Sequence, residues 1–480
     1  MPKRISLLYS KLLHTRSVNS MLLWWVSQKR FYRHLMVNIM IGIMITMLLH
    51  SFDNSQWLRQ EEDDAFDWVM AMQLGTSQDK LQPKFAFLDI DEATYRNWEE
   101  PLHIPRNKLL DIIKFAVSGK PRLIVVDVDL SRCGQCLEYD HTLINYLNKY
   151  HDQPPIVLPQ LFREPIDGES RRTLRASFFN QKEPAGANVF LASPLFELDE
   201  NDLRLRRWRL WEFTSNQEVI PSVELLAVAL INSNRNAKDI IEDVKTQIHD
   251  DSAKINIQGI GELKTDSDDI GQRIIYSIPG TLDNGKTYPE NFIRRSVLPI
   301  TKNISPAIKL TPADQCPAKC STESPMPGEK TGTDHPDLSW LEDRVVVIGA
   351  SFGDSRDIYA TPIGQMPGAM VIVNAMNSLY EYGQIEKPGG FWILVIEIIL
   401  IIIMSIAFAS FDYSFLGMLV SSTIIIVIML PLSFYLFKYG VWLDFAIPLI
   451  AVQLHRMHAS FEENKVLAQS NREDDSDPFT

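Results

Sequence analysis

The sequence predicts an α/β fold with a largely parallel central sheet, joined to an α-helical membrane region. The run Val345-Val346-Val347-Ile348, followed by Gly349, is short, continuous and β-branched, which is typical of a buried parallel strand. An apolar strand at 84–90, a helix at 105–117 and a strand at 122–128 form a strand-helix-strand unit, which pairs its strands in parallel. Long apolar segments near both ends of the chain predict the membrane region.

The membrane region comprises one N-terminal and three C-terminal transmembrane helices. A helix needs roughly 20 apolar residues to cross a bilayer. The predicted spans cover 31–50, 391–410, 415–437 and 441–457. The lead at 1–30 contains Lys and Arg but no Asp or Glu, and the positive-inside rule therefore places it in the cytoplasm. Four spans return the tail at 458–480 to the cytoplasm, so the domain at 51–390 is predicted to lie outside.

The first apolar segment also has the general pattern of a secretory signal peptide. A cleaved signal ends at a site of small residues, but the residues that follow here are His50-Ser51-Phe52-Asp53. We therefore expect an uncleaved anchor in a multi-pass protein of the plasma (inner) membrane. The stretch 21–26 in the lead is either an interfacial helix on anionic lipid or only part of the topology signal.

The formal net charge of −13 is distributed unevenly along the chain. Residues 1–34 contribute +7, which leaves −20 for the rest, most of it in the predicted outer domain. Proteins that bind DNA or RNA present basic surfaces to these polyanions. The charge distribution therefore argues against a nucleic-acid partner, whereas the lipid bilayer is a predicted partner.

All four cysteines fall in the predicted outer domain, at Cys133, Cys136, Cys316 and Cys320. Cysteines outside the cytoplasm usually form disulfides, so we expect these four to be oxidised. Each pair can close locally, or the two pairs can join each other, and the sequence leaves both connectivities open. A zinc site or a redox centre is the alternative interpretation of the same clustering. We predict neither a metal nor a cofactor.

The outer domain is predicted to contain further helices, strands and loops around these landmarks. Helices are predicted at 60–74, 140–150, 221–232 and 369–379, strands at 155–158, 188–191, 203–211 and 274–278, and loops at 162–184 and 310–339.

The order of several motifs resembles that of the type-two CHASE family. The motifs are LDIDEAT at 88–94, Pro105-Arg106, Asp127 at a strand end, Asp140, Pro-Ser-Val-Glu at 221, RVVVIG at 344, Asp357, Thr361-Pro362, Pro367-Gly368, Asn374 and Trp442 in the last span. The resemblance extends over about 51–457, and its most specific part is 344–378. Members of this family are extracytoplasmic sensory domains of bacterial membrane receptors, so the resemblance implies a CHASE-like sensory domain at 51–390.

Family members commonly carry a kinase, a cyclase or another output domain after the last span. Residues 458–480 are too few and too acidic to bury a core. The resemblance therefore implies a bacterial receptor that binds an unknown extracytoplasmic ligand and passes the signal to a separate cytoplasmic or membrane effector protein. It implies no catalytic residues, and it leaves a homo-oligomer open.

Two other classes of function fit parts of the sequence. Asp89-Ile-Asp91-Glu-Ala-Thr94 resembles the first motif of haloacid-dehalogenase-like phosphatases, in which the first Asp is the nucleophile and the second is the acid/base. The stretch 353–357 is similar to their metal-binding loop, although Glu92 stands where the motif usually has Gly. A membrane scaffold that transmits no signal is the other alternative. We favour the sensor because the order of the remaining segments fits it better.

The candidate ligand-binding edge consists of polar residues that follow three predicted strands. These residues are Asp91, Arg106, Asp127, Asp354, Asp357 and Asn374. The strands end near 90, 128 and 349, and parallel strands bring their carboxyl ends to one rim, where ligands of α/β sheets bind. The alternative is a hydrogen-bond network that only attaches the loop to the sheet.

Two carboxylates, Glu397 and Asp444, lie within predicted spans. An ionisable side chain at mid-membrane costs roughly 2.5 to 3.5 kcal/mol, so it usually faces protein or water. We expect Glu397 to face the helix bundle, with His50 as a candidate partner, and to couple the outer domain to the spans or to the effector. Asp444 lies nearer the predicted outer surface, where it either contributes to this coupling or simply reaches the lipid headgroups.

Overall fold

The structure is a computed structural model that describes part of the chain. The described residues are 30–51, 56–73, 83–132, 137–163, 165, 172–175, 188–232, 237–249, 254–257, 261–264, 271–282, 287–302, 338–384, 395–396, 398–403 and 405–406, with single residues at 423, 427, 431, 432 and 435. The chain divides into two compact units, of which one combines Met1–Val69 with Glu386–Thr480 and the other is Met70–Ile385.

The helices and strands are numbered separately in chain order. The helices are α1 Arg30–Ser51, α2 Gln56–Gln73, α3 Glu92–Asn97, α4 Arg106–Ser118, α5 Leu137–Asn148, α6 Val223–Asn232, α7 Ala237–His249, α8 Leu298–Lys302 and α9 Gly368–Tyr382, with 3-10 turns at Ser339–Leu341 and Gly353–Ser355. The strands are β1 Phe85–Ile90, β2 Leu123–Asp127, β3 Ile156–Pro159, β4 Phe162–Arg163, β5 Thr173–Leu174, β6 Val189–Ala192, β7 Phe196–Leu198, β8 Leu205–Arg209, β9 Trp211–Phe213, β10 Val219–Pro221, β11 Lys254–Ile257, β12 Gly261–Lys264, β13 Gly271–Arg273, β14 Phe292–Ser296, β15 Val345–Ala350, β16 Ile358–Thr361 and β17 Gly364–Pro367.

The larger unit is built around a six-stranded sheet in the order β14-β1-β15-β2-β3-β6. Every neighbouring pair in this sheet is parallel, which confirms the predicted α/β fold. All residues of β1 and β15 are buried because helices cover both faces of the sheet. The three strands whose ends define the candidate edge, β1, β15 and β2, are neighbours, so their carboxyl ends meet at one edge.

The two faces of the sheet pack against different helices. On one face, Leu88, Val126 and Ile348 join a core with apolar side chains of α4 and α5. On the other face, α6 and α9 pack against the sheet and against each other. The backbone N–H of Val223 donates to the carbonyl of Ser193 just after β6, and Arg122 donates to the carbonyl of Ile231 at 2.6 Å. Helix α6 therefore starts at the carboxyl edge of the sheet and ends near the start of β2.

A smaller set of antiparallel strands follows β6. Strands β7, β8 and β13 form a three-stranded sheet, and β16 pairs with β17 in a hairpin. An isolated bridge joins Arg204, just before β8, to Ala360 of this hairpin. The hairpin therefore lies between the small sheet and the carboxyl edge of the large one.

The predicted strand at 274–278 is wrong, because the strand in this region is β13; the N–H of Ile274 still donates to the carbonyl of Arg206 in β8, and residues 275–278 belong to no strand. Side chains of α9 satisfy their backbone instead. Ser378 Oγ accepts from the N–H of Ile275, and Asn374 Oδ1 accepts from the N–H groups of Ser277 and Ile278. The apolar run resembles a strand in sequence, but it packs as an extended segment on a helix.

Other differences are smaller. The predicted strand at 203–211 is interrupted at Leu210, which separates β8 from β9. The loop predicted at 162–184 contains the short pair β4 and β5. The sequence analysis also omitted β14, α7 and the β16–β17 hairpin. The predicted loop at 310–339 lies almost entirely outside the described residues.

Helix α1 covers the residues of the first predicted span. In the part of the chain that the structure describes, however, no helix has the length and apolar character required to cross a membrane. Only parts of the predicted spans at 391–410 and 415–437 are described, and the span at 441–457, the tail at 458–480 and most of the lead at 1–30 lie outside the described residues. The transmembrane part of the prediction therefore stays a prediction.

Candidate functional site

Two aspartates lie on either side of a glycine in the central strands. Asp89 of β1 lies opposite Gly349 of β15, and Gly349 lies opposite Asp127 of β2. Residues that are opposite each other in parallel strands direct their side chains to the same face of the sheet. Asp89 and Asp127 therefore flank Gly349 on the face that α6 and α9 cover.

The first turn of α9 packs directly on Gly349. A Cβ at position 349 would overlap the Cβ of Ala369 and would lie 3.5 Å from the Cβ of Asp127. Glycine at this position therefore permits the close approach of helix and strand. As a result, the N-terminus of α9, which carries a partial positive charge, lies beside Asp127.

Asp357 contacts the same helix start from the opposite side. A Cβ on Gly368 would lie 2.5 Å from each carboxyl oxygen of Asp357. The N–H of Gly368 donates to the backbone carbonyl of Asp357 at 2.8 Å, and the Tyr359 hydroxyl donates to the Asp357 carboxylate. Since Gly368 precedes Ala369, which contacts Gly349, the carboxyl groups of Asp357 and Asp127 are brought together at the first turn of α9.

Glu224 is the third carboxyl group of this region. It lies in the first turn of α6 with no exposed surface, within an otherwise apolar helix. Its own backbone N–H and the Ser222 hydroxyl lower its pKa, although neither carboxyl oxygen has a well-formed hydrogen bond among the described residues. Asp127, Asp357 and Glu224 are called the acid cluster below.

The pKa of every member of the acid cluster is raised. Burial is the main cause of the raised pKa of Asp127, and the nearby carboxylates of Asp357 and Glu224 raise it further. Burial raises the pKa of Asp357 to about 6, against the opposing hydrogen bonds from Tyr359 and the Gly368 N–H. Burial likewise raises the pKa of Glu224 to about 8. The cluster therefore holds protons at pH values where an exposed carboxyl group has lost them.

Asp89 has a different environment at the equivalent position of β1. Arg294 of β14 donates to Asp89 Oδ2 from Nε at 2.8 Å and from Nη2 at 2.7 Å. Arg294 also donates to the carbonyl of Gly280 and packs over the ring of Phe87. Burial raises the pKa of Asp89, but the charge of Arg294 opposes this increase. Asp89 is therefore one half of a buried ion pair.

Asp91 and Asp354 have local structural partners. Asp91 caps α3, since its Oδ1 accepts from the N–H of Thr94 at 2.9 Å and from the Thr94 hydroxyl at 2.6 Å. Asp354 is exposed and accepts a hydrogen bond from the hydroxyl of Tyr95, whose ring stacks on Phe352 with centroids 4.1 Å apart. Both aspartates of the phosphatase-like motif, Asp89 and Asp91, are thus held by side chains or backbone of this chain.

Arg106 and Asn374 form buried hydrogen-bond networks. Arg106 pairs with Asp140 at 3.3 Å and donates to the carbonyls of Asp129 and Arg132, which fixes the segment after β2 to α4 and α5. Asn374 is completely buried, and besides accepting from the 277–278 backbone it donates to the carbonyls of Ile278 and Met370. For both residues, these contacts agree with the alternative prediction of a structural hydrogen-bond network.

Of the six predicted edge residues, the structure therefore brings Asp127 and Asp357 together in one cluster, while the other four have separate partners. The sequence analysis did not include Glu224 or Tyr359 in the site. A single acid in the apolar run VELLAVALIN was the available signal for Glu224. Binding of a ligand by any of these residues stays a prediction.

Several predicted residues lie outside the described part of the chain. These are Cys133, Cys136, Cys316, Cys320, Glu397 and Asp444. Within the described part, no group of three or more His, Cys, Asp or Glu side chains is arranged to hold a metal ion.

A family model for the CHASE2 domain matches residues 39–410, which is more than half of the chain. The chain belongs to the CHASE2 family. This confirms the resemblance on which the sequence analysis relied. CHASE2 domains are extracytoplasmic sensory domains, so the α/β unit described above is a domain of this sensory class. The searches of curated proteins and of solved structures found no match.

Proposed function

We propose that this CHASE2 protein is a bacterial membrane receptor that detects an extracytoplasmic signal and passes it to a separate effector protein. The observation that carries the proposal is the carboxyl edge of the sheet, where Asp127 and Asp357 meet at the first turn of α9. Ligands of open α/β sheets bind at this edge. An edge that combines buried ionisable groups with a half-exposed loop is suited to respond to its surroundings.

Helix α9 follows this edge in the chain and precedes a predicted membrane span. It begins at Gly368, in contact with Asp357, and continues for 15 residues to Tyr382. The predicted span at 391–410 follows within ten residues of its end. A helix is stiff enough to transmit a small displacement along its axis, so a shift at Gly368 would reach Tyr382 at the other end of α9.

The membrane location is part of the proposal and has two supports in the smaller unit. Helix α1 exposes Met40, Met44 and Met47 along one side, with 62 to 68% of each residue accessible. At Gly42 a Cβ would lie 2.8 Å from the side chain of Ile401, so α1 packs closely against the segment 398–403. An exposed apolar stripe and a small residue at a helix contact are both typical of membrane helices.

An oxidising location predicts disulfides. Alkylation of the full chain without reductant, followed by mass spectrometry, should find all four cysteines blocked from the reagent, because secreted cysteines pair. Alkylation after reduction is the control and should modify all four. Modification of the four cysteines before reduction would contradict the outer location of the domain.

Variants at the sheet edge test whether this edge controls association with an effector protein, because they leave the membrane region unchanged. Gly349→Ala places a methyl group against Ala369 and should displace the start of α9, whereas Gly353→Ala meets nothing within 4 Å and is the matched control. We expect in-cell cross-linking of the tagged full chain, followed by mass spectrometry, to recover the same partner from the wild type and from Gly353→Ala, and less of it from Gly349→Ala.

Glu397→Gln and Glu397→Leu extend this test to the predicted spans, and both should reduce partner recovery while membrane insertion is retained. Equal recovery from the wild type and from all variants, with no partner enriched over an unrelated membrane protein, would contradict the receptor proposal and favour a scaffold that transmits nothing.

A further inference from the structure

The acid cluster is assembled from three separate elements. Asp127 ends strand β2, Glu224 is in the first turn of α6, and Asp357 immediately precedes β16. Glu224 has no exposed surface, and Asp127 Oδ2 is buried without a hydrogen-bond partner among the described residues. Buried carboxylates are normally paired with a cation or with several donors, because an isolated buried charge is very costly. Among the described groups that act on the three carboxyls there are hydrogen-bond donors to Asp357 and Glu224, but no cation.

The charged groups around the cluster are mainly acidic. Those that act on Asp127 are Asp357 and Glu224, and the pKa of Tyr359, raised first by burial, is raised further by the charges of Asp357 and Asp127. Arg294 of β14, which lies opposite Phe87, is engaged by Asp89 of β1. The N-termini of α6 and α9 favour negative charge, and Tyr359 and Gly368 donate to Asp357. These groups stabilise one carboxylate, but they do not neutralise three.

Asp357 packs directly on the start of α9. Both oxygens of Asp357 pack so closely on Gly368 that a single added carbon there would lie 2.5 Å from each. The described side chains also include no set arranged for a metal ion. A proton needs no additional volume, since it binds on an existing carboxyl oxygen.

One side of the cluster is carried by a loop and a hairpin that lie outside the large sheet. The segment 351–367, which carries Asp357, includes the loop after β15 and the β16–β17 hairpin, and Ile358 is 40% exposed. Its recorded contacts with its surroundings include the N–H of Ser351 to the carbonyl of Ile90, the stack of Phe352 on Tyr95, and the bridge from Ala360 to Arg204. Asp127 and Glu224, by contrast, are on a central strand and a buried helix.

We propose that the acid cluster is a proton switch, in which protons held between Asp127, Glu224 and Asp357 keep the 351–367 segment docked on the sheet edge. When the cluster loses these protons to the surrounding solution, repulsion between the carboxylates weakens the docking at the start of α9. Proton binding and release involve no other reactant. As a signal for the receptor this inference rests on the proposed function, but the switch itself is a property of the domain alone.

The test is amide hydrogen exchange on the full chain in detergent micelles at pH 5 and pH 8, corrected for the intrinsic pH dependence of exchange. Peptides from 351–367 should exchange faster at pH 8 than at pH 5 by about tenfold, which corresponds to docking that is weaker by about 1.4 kcal/mol. Peptides from β1 should keep the same protection at both pH values, and they report whether each variant is folded.

Three variants test whether the pH response comes from the acid cluster. Asp127→Asn combined with Glu224→Gln, and separately Asp357→Asn, should remove the pH step in the 351–367 peptides, because no repelling carboxylate pair with Asp357 is left. Asp152→Asn replaces an exposed aspartate of the same unit and should retain the step. Equal protection of the wild type at both pH values, or a full pH step in the folded Asp127/Glu224 double variant, would overturn the proton switch. Neither result depends on an effector, so this outcome is separate from failure of the receptor proposal.

Discussion

Asp89 and Asp127 occupy equivalent positions of the sheet but have opposite surroundings. Both lie in the last two residues of a central parallel strand, both are on the sheet face that α6 and α9 cover, and both lie opposite Gly349. Arg294 holds Asp89 with two short contacts, whereas Asp127 has Asp357 and Glu224 as its charged neighbours. The position of a carboxylate in a fold therefore does not determine its role. The charge of its neighbours decides whether it is a fixed ion-pair partner or a group that exchanges protons.

The largest expected effect comes from removing the cation from the Asp89 side. Arg294→Met should destabilise the domain by about 3 kcal/mol, because it leaves the carboxylate of Asp89 buried without its partner. Chemical unfolding of the full chain, followed by tryptophan fluorescence, measures this change. Arg295→Met is the control on the same strand, since Arg295 is exposed and packs over Trp340. If Arg295→Met lost as much stability as Arg294→Met, the ion pair with Asp89 would not be the cause of the destabilisation.

The next effect concerns the close contact on the Asp127 side. Gly368→Ala should destabilise the domain by about 1 to 3 kcal/mol, because the new methyl group meets both oxygens of Asp357. Gly353→Ala again serves as control, since its methyl group enters open space. The same unfolding experiment compares the two variants. Wild-type stability in Gly368→Ala would mean that Asp357 does not pack on the helix start.

The third effect is a pH dependence on the Asp127 side. The pKa of Glu224 is raised from 4.5 to about 8. Its protonated form therefore contributes stability that is fully present below about pH 4.5 and is lost as the pH rises through 8. Glu224→Gln removes this dependence. The free energy of unfolding of the variant should therefore rise relative to that of the wild type as the pH rises, by at most about 1.4 kcal/mol per pH unit.

Thermal unfolding of the full chain from pH 5 to pH 8 measures this difference, and Glu200→Gln, at an exposed turn, is the control. The Glu200→Gln curve should follow the wild type at every pH. A difference in unfolding temperature between Glu224→Gln and the wild type that stays constant from pH 5 to pH 8 would contradict the raised pKa of Glu224.

The sequence predicted the sheet well because its central strands are continuous apolar runs. The predicted bounds of the Val345 strand, the 84–90 strand and the 105–117 helix agree with β15, β1 and α4 within one or two residues. Strand β14, with the sequence FIRRS, was omitted because its two arginines hide the strand pattern. The role of Arg294 as the ion-pair partner of Asp89 could not be predicted from the sequence, since the two residues are 205 positions apart.

The site was predicted in part for the same reason. Strand ends can be read from local sequence, and this placed Asp127 and Asp357 at one edge. The partners that bind Arg106 and Asn374 come from distant segments, so their burial in hydrogen-bond networks could not be read from sequence. Glu224 reaches the cluster because α6 begins at the carboxyl edge, which depends on the order of the strands.

The central claim is that the two aspartates differ in protonation, and infrared difference spectroscopy of the full chain between pH 5 and pH 8 tests it directly. A protonated carboxyl group has a C=O band that disappears when the proton leaves. The account predicts a band that is lost on raising the pH, that is strongly reduced in Asp127→Asn with Glu224→Gln, and that is retained in Asp89→Asn. A band that persists in the double variant and vanishes in Asp89→Asn would contradict the account, because it would assign the exchanging proton to the side of the sheet edge that Arg294 holds.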